Sequence, residues 1–324
     1  MIITLVGISY PYKTRQARMI IFGIGFLMVF GCTKEIDLAI PKVAQKTVVN
    51  AFFSPASEFQ VSLSRSQDIL ALDKGESIPN AIVLLYQDNK ILDTLDLVGE
   101  VYQSSIIPRP GENYGLQVLV PDSEPLTSND YLPPEPRLLE STLLESVTTD
   151  REGDVFSQAS ITFYDDPDES NFYELLMFLR YKDEQLMDFL EEIGEKDKIA
   201  VNYNGQTNDP VLLNEGQLDL SFRSLVFSDA LFNGQTYTMK VQFSRSIKLP
   251  ETYDLNSYDI IIFLRAVTPD YYTYQKTLAA HQSSQVSDLF EGAGIPVPMF
   301  TNITNGLGIF AGYNQVTDTI FRNN

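Results

Sequence analysis

Residues 59–66, FQVSLSRS, set Phe59, Val61 and Leu63 between Gln60, Ser62 and Ser64. That period of two sends apolar side chains to one face of an extended chain and polar ones to the other, the pattern of a half-buried strand. The same rhythm recurs along most of the chain, cut into short runs by turn signals. Strands are expected at 47–53, 59–66, 81–87, 90–97, 101–107 and 114–120. Ser54-Pro55-Ala56-Ser57, Asp88-Asn89 and Arg109-Pro110-Gly111-Glu112 supply turns between them. Six short strands so spaced predict an immunoglobulin-like β-sandwich over residues 46–121.

Pro125, Pro133, Pro134 and Pro136 crowd residues 122–137. Proline donates no ladder hydrogen bond, so this stretch reads as a stiff linker. Beyond it, residues 138–324 form a second β-rich domain. Its strands are expected at 138–149, 155–164, 172–181, 198–203, 217–226, 236–245, 259–267 and 316–321. Two short helices interrupt them. In 183–193, Leu186, Met187, Leu190 and Ile193 share one side, with Asp183 to cap the start and Gly194 the end. Thr268-Pro269-Asp270 opens the second, with Tyr271, Tyr274, Leu278 and His281 along one stripe. The fold class is therefore mainly β, and the 20 Phe and 17 Tyr suit pleated sheets.

The start of the chain differs in kind. Lys13, Arg15 and Arg18 precede an unbroken run of apolar residues and glycine from Ile20 to Phe30, followed by Gly31-Cys32. The run is shorter than the roughly 20 residues a spanning helix needs but has the length of a signal-peptide core. The layout is that of a lipoprotein signal: 1–31 removed, Cys32 acylated, and 32–45 left as a tether. Phe30 departs from the usual small residue near the cysteine, so an ordinary signal peptide or short membrane anchor is the competing reading. Met19 offers a second start. Cys32 is the sole cysteine, which leaves no disulfide and no thiolate metal site.

The chain carries 43 acidic and 23 basic side chains, and three of the basic ones fall in residues 1–31. Such a surface repels phosphate backbones, so nucleic acid is not an expected partner. His281, the single histidine, sits on an aromatic helical stripe, where packing is favoured over catalysis. The run Asp165-Asp166-Pro167-Asp168-Glu169 lacks the ligand spacing of a calcium loop. Gly292-Ala293-Gly294 and Gly306-Leu307-Gly308 lack phosphate-loop spacing. No catalytic residue, cofactor or metal is expected. Tyr271, Tyr272 and Tyr274 either pack in the core or line a groove for peptide or sugar.

The tail carries the most specific pattern. Pro296-Val297-Pro298 is followed by Thr301-Asn302-Ile303-Thr304-Asn305-Gly306-Leu307-Gly308-Ile309-Phe310-Ala311-Gly312-Tyr313, with Asn302, Gly306, Gly308 and Phe310 as its core. With Val48-Val49-Asn50-Ala51, Val61-Ser62-Leu63-Ser64-Arg65-Ser66, Phe227-Ser228-Asp229 and Tyr271-Tyr272, it resembles a domain-of-unknown-function family, number 4249, of Bacteroidota lipoproteins. The resemblance implies an outer-membrane lipoprotein, anchored through its N-terminal lipid and facing the exterior. It further implies a non-enzymatic ligand-binding or docking accessory of a TonB-dependent transporter. Lys34-Glu35-Ile36-Asp37 resembles the acidic export signal of such proteins. A structural or adhesive surface role is the alternative, and a surface hydrolase is disfavoured. The resemblance carries over no catalytic residue and no ligand.

Overall fold

The computed structural model describes residues 44–67, 75–151, 153–167, 169–192, 201–203, 208–216, 224–245, 257–291 and 297–322. The expected signal segment 1–31, Cys32 and nearly all of the tether 32–45 lie outside the described residues. So do Asp168, Ile193, Gly194, Gly292, Ala293 and Gly294, and parts of the strands expected at 198–203 and 217–226. Residues Ala44–Asn324 form a compact unit, and it is mainly β.

Seven strands build its first half: β1 (Thr47–Phe53), β2 (Gln60–Arg65), β3 (Ile82–Gln87), β4 (Lys90–Val98), β5 (Val101–Gln103), β6 (Asn113–Leu119) and β7 (Leu126–Tyr131). Alternate residues of each face inward, so Val49, Phe53, Val61, Leu63, Val83, Leu85, Tyr114 and Leu116 share one buried core. Its centre is aromatic. Phe53 packs on Phe59 and Phe310 with ring centroids 5.1 and 4.8 Å apart, and Phe59 meets Tyr114 edge-on at 5.0 Å. This core has the character expected of an immunoglobulin-like sandwich.

The second half holds β8 (Arg137–Thr149), β9 (Val155–Tyr164), β10 (Phe172–Tyr181), α1 (Glu184–Glu192), β11 (Val201–Tyr203) and α2 (Pro210–Asn214). It continues through β12 (Ser224–Ser228), β13 (Thr236–Arg245), β14 (Tyr258–Val267), α3 (Pro269–Glu291) and β15 (Leu307–Ile320). A four-stranded sheet ordered β11-β13-β9-β8 contributes Ile161, Phe163 and Phe243 to a second core. The β12-β10-β14 strands add Leu175, Met177, Phe227 and Ile262 to it. α1 seals one side of this core with Leu186 and Leu190, and the Asp183 carboxylate accepts from the Leu186 N–H at 3.0 Å to cap it.

One strand joins the two halves. The larger sheet runs β12-β10-β14-β15-β1-β2-β5-β4-β3-β6-β7. β15 pairs parallel with β1, from Val48↔Leu307 to Phe53↔Gly312. It then pairs antiparallel with β14, from Val267↔Tyr313 to Ile260↔Ile320. The strand expected at 316–321 is therefore only the far end of one that begins inside the glycine-rich tail.

Three further differences have local causes. The proline-rich stretch 122–137 contains β7, because its prolines flank the strand rather than interrupt it. β7 pairs along its length with β6, meets the tail at the isolated Thr127–Thr304 bridge on its other side, and buries Leu126. The described residues hold three helices where two were expected. The additional α2 is capped by Asp209, whose carboxylate accepts from the Val211 and Leu212 N–H groups, with Pro210 at its first position. α3 also runs 23 residues, longer than the short helix expected there.

Candidate functional site

α3 starts where the sequence signals it. The Thr268 hydroxyl accepts from the Tyr271 N–H at 3.3 Å, and Pro269 occupies the first turn. The helix lies over β15, and Tyr271 is buried, 3% exposed, with Val267, Ile309 and Ala311. Its hydroxyl donates to Glu174 Oε2 at 2.8 Å, and Arg265 Nη1 donates to the same oxygen at 2.7 Å. Arg265 Nε also donates to Gln315 Oε1 at 3.1 Å, and its guanidinium lies 4.4 Å from the Tyr313 ring centroid. Burial by itself would lower the Arg265 pKa, but the charge and hydrogen bond of Glu174, together with Tyr271 and Tyr313, outweigh it and the guanidinium is held more firmly protonated. The Tyr271 hydroxyl is pushed well up, first by burial and then by Glu174.

Tyr272 belongs to a second network. It donates to Glu215 Oε2, which also receives Lys276 Nζ at 3.2 Å. The N–H and hydroxyl of Ser228 donate to the other Glu215 oxygen at 2.8 and 2.9 Å. Burial opposes ionisation of Glu215, but the hydrogen bonds from Tyr272 and Ser228 together with the Lys276 charge hold its carboxyl below the usual range. Tyr274 is half-buried against Phe52, 5.9 Å between centroids, and Phe52 is 39% exposed. The three tyrosines thus come together on α3, with the Tyr271 and Tyr272 hydroxyls turned inward. Further along α3, His281 Nδ1 bonds the Val297 carbonyl at 2.8 Å.

The tail residues converge on the same place. Asn302 holds Phe310 from both sides: its Oδ1 accepts from the Phe310 N–H at 3.0 Å and its Nδ2 donates to the Phe310 carbonyl at 2.8 Å. The same amide donates to Asp270 Oδ2 at 2.8 Å, tying the tail to the start of α3. Gly308 adopts φ +102°, and a Cβ there would stand 1.9 Å from the Val49 carbonyl oxygen. Only a glycine lets β15 approach β1 so closely. Gly306 sits against Leu126 of β7.

Asp130 of β7 closes this seam from the other side. Its Oδ2 accepts from the Thr268 hydroxyl at 2.6 Å and the Gly312 N–H at 3.1 Å, and its Oδ1 from the Tyr131 N–H at 2.9 Å. Burial pushes its pKa up to about 6 against the opposing pull of these hydrogen bonds, and nearby Asp270 adds to the rise.

Beside the seam, where the two cores meet, lies an open cleft of about 490 Å³. Pro133, Pro134 and Pro136 form one wall, with Pro133 and Pro136 buried behind it. Tyr131, Tyr164 and Phe172 supply aromatic surface, and Glu135, Asp166 and Glu169 stand exposed around it. Arg137 reaches over the Tyr164 ring, its guanidinium carbon 5.3 Å from the centroid. The Tyr131 hydroxyl is pushed up by burial, then by Asp130 and Glu169. Asp165 takes no part in this rim: its carboxylate is buried, accepting from Tyr173 at 2.6 Å and the Gly234 N–H at 2.8 Å.

Sequence reasoning did not find the cleft. Its residues come from β7 and the segment after it, from β8, β9, β10 and β14, and from the loops before β6 and β10, and no short motif links them. An aromatic concave surface of this size, with a few charged groups, is suited to hold a small ligand or a short stretch of peptide. Among the described residues, no group of three His, Cys, Asp or Glu is placed to hold a metal ion. No described helix is long and apolar enough to cross a membrane.

A family model described as a domain of unknown function, DUF4249, matches residues 33–319. No curated protein matches the chain.

Proposed function

Because the chain belongs to the DUF4249 family, we propose that it is an outer-membrane lipoprotein of the Bacteroidota type. It is acylated at Cys32, faces the cell exterior, and serves a TonB-dependent transporter as a non-enzymatic ligand-binding or docking accessory. The family match opens at residue 33, directly after Cys32, which supports a body that begins at the lipid. A single acyl chain holds a protein only weakly, so stable anchoring draws on the several acyl groups of a bacterial lipoprotein.

The observation that carries the ligand-binding part is the cleft between the two cores, with Tyr131, Tyr164 and Phe172 exposing ring surface among charged groups. Places where two packed units meet are favoured positions for ligand sites. The test is made in cells. Wild-type protein should take up radiolabelled palmitate, sediment with outer membranes and be shaved by protease from intact cells. Cys32→Ser should lose the label and leave the membrane fraction. Affinity purification from membranes should recover a TonB-dependent transporter, with any small molecule held in the cleft. A Cys32→Ser protein that stays membrane-bound would sink the anchor. Recovery of the wild type without a transporter would sink the docking role.

A further inference from the structure

We propose that the cleft between the two cores receives an organic cation, a guanidinium or ammonium group, against the Tyr164 ring. The proposal rests on the ligand-binding reading above and names the chemistry of what is bound.

The cleft wall already holds such a group. Arg137 begins β8 as an exposed side chain, and its guanidinium lies over the Tyr164 ring at 5.3 Å. A cation within about 6 Å of a ring centroid is attracted by the negative face of the π system. Arg137 therefore acts as an internal stand-in and shows that this ring face accommodates a planar cation.

Charge favours the same kind of ligand. Glu135, Asp166 and Glu169 outnumber the single guanidinium among the lining residues, and the whole chain has a formal net charge of −20. A cleft lined by one sign of charge focuses the field and raises the local concentration of the opposite ion. An anionic ligand would meet this field unfavourably. A neutral sugar would use the rings but draw nothing from the carboxylates.

The wall is also fixed in advance. Pro133 and Pro136 are buried, and the Pro133 carbonyl is held by Asn314 Nδ2 at 3.2 Å. Proline fixes its own backbone angle, so this wall loses little freedom when something docks on it. Phe172 is likewise held from behind, packed at a tilt against Tyr272 with centroids 4.7 Å apart.

An incoming cation competes with Arg137 for the ring and is repelled by its charge. Removing Arg137 should therefore tighten binding, the opposite of what a contact residue would do. The experiment uses the full acylated protein in detergent and calorimetric titration with blocked pentapeptides Ala-Ala-X-Ala-Ala. X is arginine, its uncharged isostere citrulline, or glutamate. Agmatine serves as a free small cation. The arginine peptide should bind at least about tenfold more tightly than the citrulline peptide, and the glutamate peptide should not bind. Arg137→Ala should tighten the arginine peptide about two- to fivefold, and Tyr164→Leu and Glu169→Gln should each weaken it by a similar factor. Agmatine binding as tightly as the peptide supports the proposal and assigns the site to small amines. Weaker agmatine binding supports it and assigns the site to peptide side chains. Equal binding of arginine and citrulline peptides overturns it while leaving ligand capture standing. Glutamate-peptide binding that Arg137→Ala abolishes overturns it in favour of an anion site. Absence of binding by every probe overturns it too, and the co-purified material then decides the wider reading separately. Exposed Glu169 keeps the test sound if Tyr164→Leu disturbs the fold.

Discussion

Asp130 is a carboxylate placed where it is costly to ionise. Its partners Thr268 and Gly312 lie 138 and 182 residues away, so nothing in the local sequence Ser128-Asn129-Asp130-Tyr131 marks it. With a folded pKa of about 6 against an ordinary 3.8, the folded chain keeps a proton that the unfolded chain has already released between those values. The folded state then binds more protons, and this residue's contribution to stability falls as pH rises from about 3.8 to about 6 and is level above. Each tenfold in proton affinity is worth about 1.4 kcal/mol, so the gap corresponds to at most roughly 3 kcal/mol. Glu215 slopes the other way, as does Asp259 of β14, which is paired with Lys182 at 2.8 Å and Arg180 at 3.2 Å. Their folded pKa values are depressed, so their stabilisation is lost on acidification. The readable quantity is therefore the difference between wild type and Asp130→Asn. Urea denaturation at pH 4, 5, 6 and 7 should show the wild type losing ground to the variant as pH rises through 4 to 6, with a constant difference above. Parallel curves across the whole range would show that Asp130 is not a buried, raised acid.

At the scale of elements, β15 depends on what it lacks. Gly308 combines a left-handed φ with a Cβ position 1.9 Å from the Val49 carbonyl oxygen. Gly308→Ala should cost more than about 3 kcal/mol, since strain and overpacking are each worth about 1–3. Gly99 is the control. Its φ is +66° but nothing lies within 4 Å of a Cβ there, so Gly99→Ala should cost about 1 kcal/mol, the strain alone. Equal melting temperatures for the two variants would remove the close approach as the reason for glycine. This also explains what could be read from the sequence. β1, β10 and β13 occupy 47–53, 172–181 and 236–245 as expected, because alternation or apolar runs within each strand announce it. β15 was half hidden because glycine at a strand crossing looks like glycine in a turn. β7 was hidden by the prolines beside it. α2 was legible and missed: Asp209-Pro210 is the same cap-and-proline signal that Thr268-Pro269 gives for α3. Tyr271 was picked out by its helical stripe. Its partners Glu174 and Arg265 stand on two different strands and became neighbours only through the β10–β14 register. The cleft residues were illegible for the same reason.

For the whole molecule, the shared strand sets how the chain should come apart. β15 delivers Phe310 to the first core and packs Val316 and Ile320 against the second. Neither core keeps its edge if this strand leaves, and the Asp130 and Asn302 contacts bind the seam across both. Two domains at 46–121 and 138–324, joined by a passive linker, would unfold in two steps. A common central strand instead couples them into one cooperative transition. Denaturant unfolding followed by near-ultraviolet and far-ultraviolet dichroism should give coincident single transitions. Native-state hydrogen exchange should assign the slowest amides of β2 and of β14 the same opening free energy, because both open by global unfolding. Gly308→Ala discriminates further: a defect at the β1–β15 contact should lower protection in β2 and β14 by equal amounts, although β14 does not touch Gly308's partner strand. Loss confined to β1 through β7 would mean that the halves open independently. A seam able to open independently would also let the cleft change shape without unfolding either core, whereas a coupled seam holds its walls fixed until the whole unit melts.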